Sequence, residues 1–228
     1  MSVPRRVLIL AEMHGRDLVR RHVALALLIA LPLFFYLSSE GNGPQAMASG
    51  GIGMAFAIAG PTLFSVLSSR DVDQRLVLGG YRPFELMLGR LLFLAPLSLA
   101  LSAAFAALMA GISHPKDAWI FGGGVAIVGL QAVVLGLAIG ALVPRELEGT
   151  LVLIGVVGIQ LAARHDSVVA KCLPFYGPRR LIDVGITGSG PMAGPVLQTL
   201  LYAAALLLIA ELLTRPRLAV RRHATTAP

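Results

Sequence analysis

Six apolar runs, parted by charged or Gly- and Pro-containing stretches, set the terms on which this chain can fold: His22–Leu37, Gly51–Ser69, Leu91–Ala110, Trp119–Val143, Thr150–Ala163 and Pro195–Leu213. A bilayer's hydrocarbon core asks for roughly 20 apolar residues per helical span. Membrane β-strands would instead show segments of about ten residues alternating apolar and polar, and these runs do not alternate. The expectation is an all-α integral membrane protein with six transmembrane helices. The composition agrees: 56% of the 228 residues are hydrophobic and only 14% charged, too apolar for an ordinary soluble domain. Two runs fall short of the length. His22–Leu37 carries Pro32 and lengthens only if the helix continues from Leu18, with Arg20 and Arg21 snorkelling to the surface. Thr150–Ala163 is shorter still, and a run of that size is equally compatible with a re-entrant segment.

Charge orients the six runs. With an even number of crossings both termini share one side. That side collects five arginines between Arg5 and Arg21, four in 70–90, Arg145, and four between Arg215 and Arg222, which makes 14 of the 19 basic residues. Lys116, Arg164, Lys171, Arg179 and Arg180 fall on the other. Basic residues gather on the cytoplasmic side, so both termini and the stretch 70–90 are expected there. The formal charge of +7 then reads as topology signal and attraction to anionic lipid, and no basic module with interleaved aromatics suggests a nucleic-acid partner.

Ahead of the first run, Val3, Val7, Leu10, His14 and Leu18 recur at helical spacing opposite Arg5, Glu12, Arg16 and Arg20. This predicts an amphipathic helix over 1–21 lying on the cytoplasmic membrane surface. The apolar stretch after Arg5 and Arg6 is too short for a secretory signal core, so no cleaved signal is expected. The segment 164–194 lies on the outer side and mixes apolar residues with Pro, Gly and Arg. Its apolar parts Val168–Tyr176 and Leu181–Ile186 are too short to span and are expected to form short helices that lie on the membrane or dip back into it. Gly136 and Gly140 have the GxxxG spacing that lets helix backbones approach. Cys172 is the single cysteine and excludes an intramolecular disulfide.

The absences narrow the function. All five histidines and all six aspartates flank or lie outside the apolar runs, which leaves no nucleophile–base pair or paired carboxylates for an intramembrane hydrolase. Glu211, the one acidic residue within a run, sits four residues before Arg215 and is expected to anchor that helix end rather than couple an ion. Metal-ligand spacings and a phosphate-binding G-x-x-x-x-G-K-[ST] loop are missing. The chain by itself is not expected to be an enzyme, to hold a metal or cofactor, or to hydrolyse ATP.

What remains is the charged stretch "RDVDQRLVLGGYRPFELMLGRLLF" between the second and third runs. A topology signal needs only Lys or Arg, yet three carboxylates stand here among four arginines. Charges of both signs around an apolar turn suit a docking surface, with leucines filling a pocket and rim charges setting register. The expected contacts are Asp71, Asp73, Arg75, Leu76, Tyr81, Arg82 and Glu85. The stretch resembles the segment after the second span in ABC-2 type permease subunits of bacterial ABC exporters: a charged start, the leucine turn Leu76–Leu78, the breaker Gly79–Gly80, then a helix carrying Glu85 and closing on Gly89–Arg90. The passage "LPFYGPRRLIDVG" is similar to that family's Pro-Tyr-Arg passage before its last span. Val72–Asp73 stands where the family usually has Gly-Thr, and Gly80 where it has Pro.

The resemblance covers nearly the whole chain, 1–228, as one transmembrane domain. It implies the permease subunit of an ATP-driven exporter in the plasma (inner) membrane of a bacterium, with 70–90 as the coupling loop to two copies of a separate ATPase that carries ATP and Mg. It also implies a second permease subunit, identical or closely related, within the bilayer. A drug, antibiotic, lipid or other amphipathic molecule is the expected cargo. A haem-maturation type permease and a membrane scaffold that moves nothing stay open as alternatives.

Overall fold

The computed structural model describes residues 3–20, 22–39, 43–163 and 167–219, and every regular element among them is helical. Arg21, Arg164, His165, Asp166, Arg221, Arg222 and His223, all used in the sequence reading, lie outside the described residues. In chain order the helices are α1 (Val3–Arg20), α2 (His22–Leu37), α3 (Pro44–Ser68), α4 (Arg70–Leu78), α5 (Pro83–Ser113), α6 (Ala118–Leu142), α7 (Glu146–Ala162), α8 (Val168–Lys171), α9 (Tyr176–Thr187) and α10 (Ala193–Ala219). The boundaries follow local chemistry. Proline opens α3 and α5, where its missing N–H costs nothing. Asp117 caps α6 by accepting the backbone N–H groups of Trp119 and Ile120 at 3.1 and 3.0 Å. After α4 the chain turns through Gly80 at φ +91, a conformation that suits a residue without Cβ.

Among the described residues four helices, α3, α5, α6 and α10, are long and apolar enough to cross a membrane. The two runs that were short in sequence are short here as well. At 16 and 17 residues, α2 and α7 reach about 24 to 26 Å at 1.5 Å per residue, under the ~30 Å of a bilayer core. Pro44 starts α3 seven residues before the apolar run, and what reads as one loop at 70–90 is α4, a four-residue turn and the start of α5.

α6 is the axis of the bundle. Its residues Gln131 to Ala141 are all buried, and α3 packs along it because α6 offers glycine at the crossing. A Cβ on Gly136 would stand 2.6 Å from the Ala59 carbonyl oxygen, and one on Gly140 would stand 2.7 Å from Val66 Cβ. The GxxxG pair is therefore consumed inside the chain. At the N-terminal end of α6, α9 is drawn in by the same device. Ile182 lies over Gly51 and Gly124, Gly185 lies over the Phe121 backbone, and Asp117 N–H donates to the Gly185 carbonyl at 2.9 Å. Arg179 is buried on α9 and donates to the Gln160 carbonyl of α7 at 3.3 Å. The described part of the segment expected on the outer side, 167–194, thus holds α8 and α9, and α9 turns its apolar face into the bundle.

α1 is helical, and the face formed by Val7, Leu10 and His14 is buried. That face meets α5: Gly89 admits Leu10, where a Cβ would come within 2.6 Å of the leucine Cβ, and Gly15 rides over the Phe93 ring. The described part of the stripe read as membrane-facing, Val7, Leu10 and His14, is spent on protein. Leu8, Ile9 and Met13 on the neighbouring face stay exposed.

Candidate functional site

The turn joining α4 to α5 stands at the end of the bundle opposite α9, beside the C-terminus of α6. Arg70 fixes α4 there, donating to the carbonyls of Pro144 at 2.6 Å, Gly140 at 2.9 Å and Val143. A guanidinium on the last carbonyls of a helix answers both their unpaired acceptors and the negative end of the helix dipole. Arg217 of α10 donates to the neighbouring Leu142 carbonyl at 2.9 Å. Burial, and then the charge of Arg217, lower the pKa of Arg70 from its ordinary value.

The underside of the elbow is locked. Arg90 reaches back from α5 to Asp73 at 2.6 Å, with both side chains under a tenth exposed, and also donates to Ser69 Oγ. Burial raises the pKa of the Asp73 carboxyl, and the Arg90 charge and hydrogen bond offset part of that rise. Glu85 is buried and accepts the Arg82 backbone N–H at 3.0 Å, the half of a capping box that an arginine at the N-cap permits. Arg6 arrives from α1: it donates to the Gly80 carbonyl at 3.0 Å, lies 3.7 Å from the Glu85 carboxylate, and stacks over the Tyr81 ring at 5.2 Å. Side chains of α1 and α5 therefore hold the turn, and the end of α6 holds the start of α4.

The seven residues expected at the site divide into three sets. Asp73 and Glu85 face inward and are partnered within the chain. Tyr81 lies half-buried beneath Arg6, and Leu76 is half-buried with its carbonyl accepting the Tyr81 N–H at 3.0 Å. Asp71, Arg75 and Arg82 are exposed. Between them stand apolar side chains that the sequence reading did not select: Val72, Leu78 and Phe84 are 42%, 64% and 51% exposed. Leu78 belongs to the leucine turn, yet helix phase, set only once α4 is known to end there, decides that it and not Leu76 points away from the bundle. Arg6 was legible as a basic residue of α1 but not as a partner of a turn 74 residues away.

The elbow so built is held by ion pairs and hydrogen bonds within the chain and exposes apolar residues together with charges of both signs. Among the described residues no group of His, Cys, Asp and Glu has the makings of a metal site. No known family model matches the chain, and no curated protein is significantly similar to it.

Proposed function

We propose that this chain is the membrane-spanning subunit of an ATP-driven exporter, and that the α4–α5 elbow docks a separate ATPase subunit. The observation that carries the reading is the elbow itself. Its polar side chains lock it to α1, α5 and α6, while Val72, Leu78 and Phe84 stand bare. A loop serving only as topology signal has no use for that rigidity, whereas a lever that transmits force from a partner to α5 and α6 depends on it. In this reading α2 and α7 join the four long helices as spans, with flanking residues making up their length. The elbow and both termini lie in the cytoplasm of a bacterium, as the 14-to-5 split of basic residues indicates. The partner ATPase, present in two copies, supplies the ATP and Mg chemistry, and a second permease subunit completes the path.

Affinity purification of the full chain from its native membrane, followed by an ATPase assay, tests this. Wild type should retain an ATPase whose turnover rises with transported solute. The Leu78→Asp, Phe84→Asp double variant should insert normally but lose most of that retention. Retention of an ATPase with no solute-dependent turnover would identify a scaffold instead, and undiminished retention by the double variant would remove the elbow from the interface.

A further inference from the structure

A hydroxyl inside a helix ordinarily gives its hydrogen to the carbonyl four residues back, and Thr62, Thr150, Thr199 and Thr214 all do so here, at 2.6 to 2.9 Å. Ser98 and Ser102 of α5 do not. Both are buried, and neither hydroxyl has a hydrogen-bond partner among the described residues. They stand against α6 instead, where Gly129 makes room: a Cβ there would lie 2.5 Å from Ser98 Oγ, 2.4 Å from Ser102 Oγ and 3.1 Å from Ile58 Cδ1 of α3. Two oxygens that close to one point are within the span of a single bridging water, whose hydrogen bonds each reach about 2.8 Å.

Ser98 also lines a small cavity between α2, α3 and α5, with Leu28, Ile58, Pro61 and Leu94 on its walls. The centre of a water molecule has about 10 Å³ in which to move there, close to the roughly 10–15 Å³ that one bound water needs. The space is too small for an organic solute, and the side chains around it carry no charge to hold an ion. Leu28 brings a further acceptor, since Pro32 has no N–H to offer the Leu28 carbonyl. We propose that this cavity binds one water molecule, held by the hydroxyls of Ser98 and Ser102, which thereby meet the hydrogen-bonding need that burial imposes on them. The site is independent of the elbow and of any ATPase, so it stands or falls apart from the export reading.

X-ray radiolysis of the full chain in liposomes tests this. Hydroxyl radicals formed from a bound water oxidise the side chains beside it before they can diffuse away, and mass spectrometry locates the oxidised residues. Leu94 and Ile58, both buried on the cavity wall, are the reporters; Leu63 and Ile52, buried elsewhere in the bundle, are comparators of the same residue types. In the wild type the reporters should be oxidised several-fold faster than the comparators. The Ser98→Ala, Ser102→Ala double variant removes two hydroxyls and little volume, and should bring the reporters down to the comparator rate while the comparators stay as they were. Ser98→Ala alone should lower the reporter rate in the same direction, so the result does not depend on the double variant folding. Reporters no faster than comparators in the wild type, or a reporter rate that the serine variants leave unchanged, would each overturn the proposal.

Discussion

Asp73 and Arg90 form a deeply buried ion pair, and neither charge has water to fall back on. A buried pair gains little over an apolar pair of the same shape, but removing one partner strands the other at a cost of about 3–5 kcal/mol. Asp73→Ala and Arg90→Ala should each lower the thermal midpoint of the detergent-solubilised protein sharply, and the double variant should fall well short of the sum. Additive losses would mean that the two groups act separately. The pH dependence follows from the raised Asp73 pKa. A carboxyl that holds its proton more tightly folded than unfolded contributes most to stability below the ordinary aspartate range. It contributes progressively less as pH rises through that range toward the folded value. The midpoint difference, wild type minus Asp73→Asn, should therefore decline as pH climbs from about 4; a rising difference would contradict the stated direction.

At the scale of elements, glycine decides which helices touch. Gly185→Ala would bring a Cβ to 2.3 Å of the Phe121 backbone nitrogen, which has no side-chain freedom with which to retreat, so α9 must lift from α6. Overpacking of this kind costs about 1–3 kcal/mol. Gly158→Ala, inside α7, meets nothing within 4 Å and should leave the midpoint unchanged or raise it slightly in the same thermal assay, since alanine favours a helix interior over glycine. Equal effects would show that α9 does not pack as described. The contrast also marks what the sequence made legible. The all-helical class, α1, the four long helices and the charged elbow follow from apolar run lengths and periodicity, which are local properties. Which glycines sit under neighbouring helices is not local: Gly136 and Gly140 show a spacing, and only the path of α3 shows that Ala59, Thr62 and Val66 fill it. The outward turn of Leu78 and Phe84 was hidden for the same reason. It depends on where α4 stops and on Arg6 arriving from α1.

For the whole molecule, the elbow and the α9 end of the bundle lie at opposite ends of α6, and the export account puts a bilayer between them. In a Cys172→Ser background, a cysteine at the exposed Ser189 should react with an impermeant thiol reagent in intact cells. One at the exposed Arg75 should react only after lysis. Reversed labelling would invert the orientation, and labelling at both before lysis would deny the crossing. The account's central claim is that the elbow receives an ATPase, and site-specific photocrosslinking in native membranes tests it most directly. A photoreactive phenylalanine analogue is placed at Leu78, and in a separate protein at Val168, which is 76% exposed toward the other end. The account predicts an adduct with an ATP-binding subunit from position 78 and none from position 168. No adduct from 78, or equal adducts from both, would contradict it.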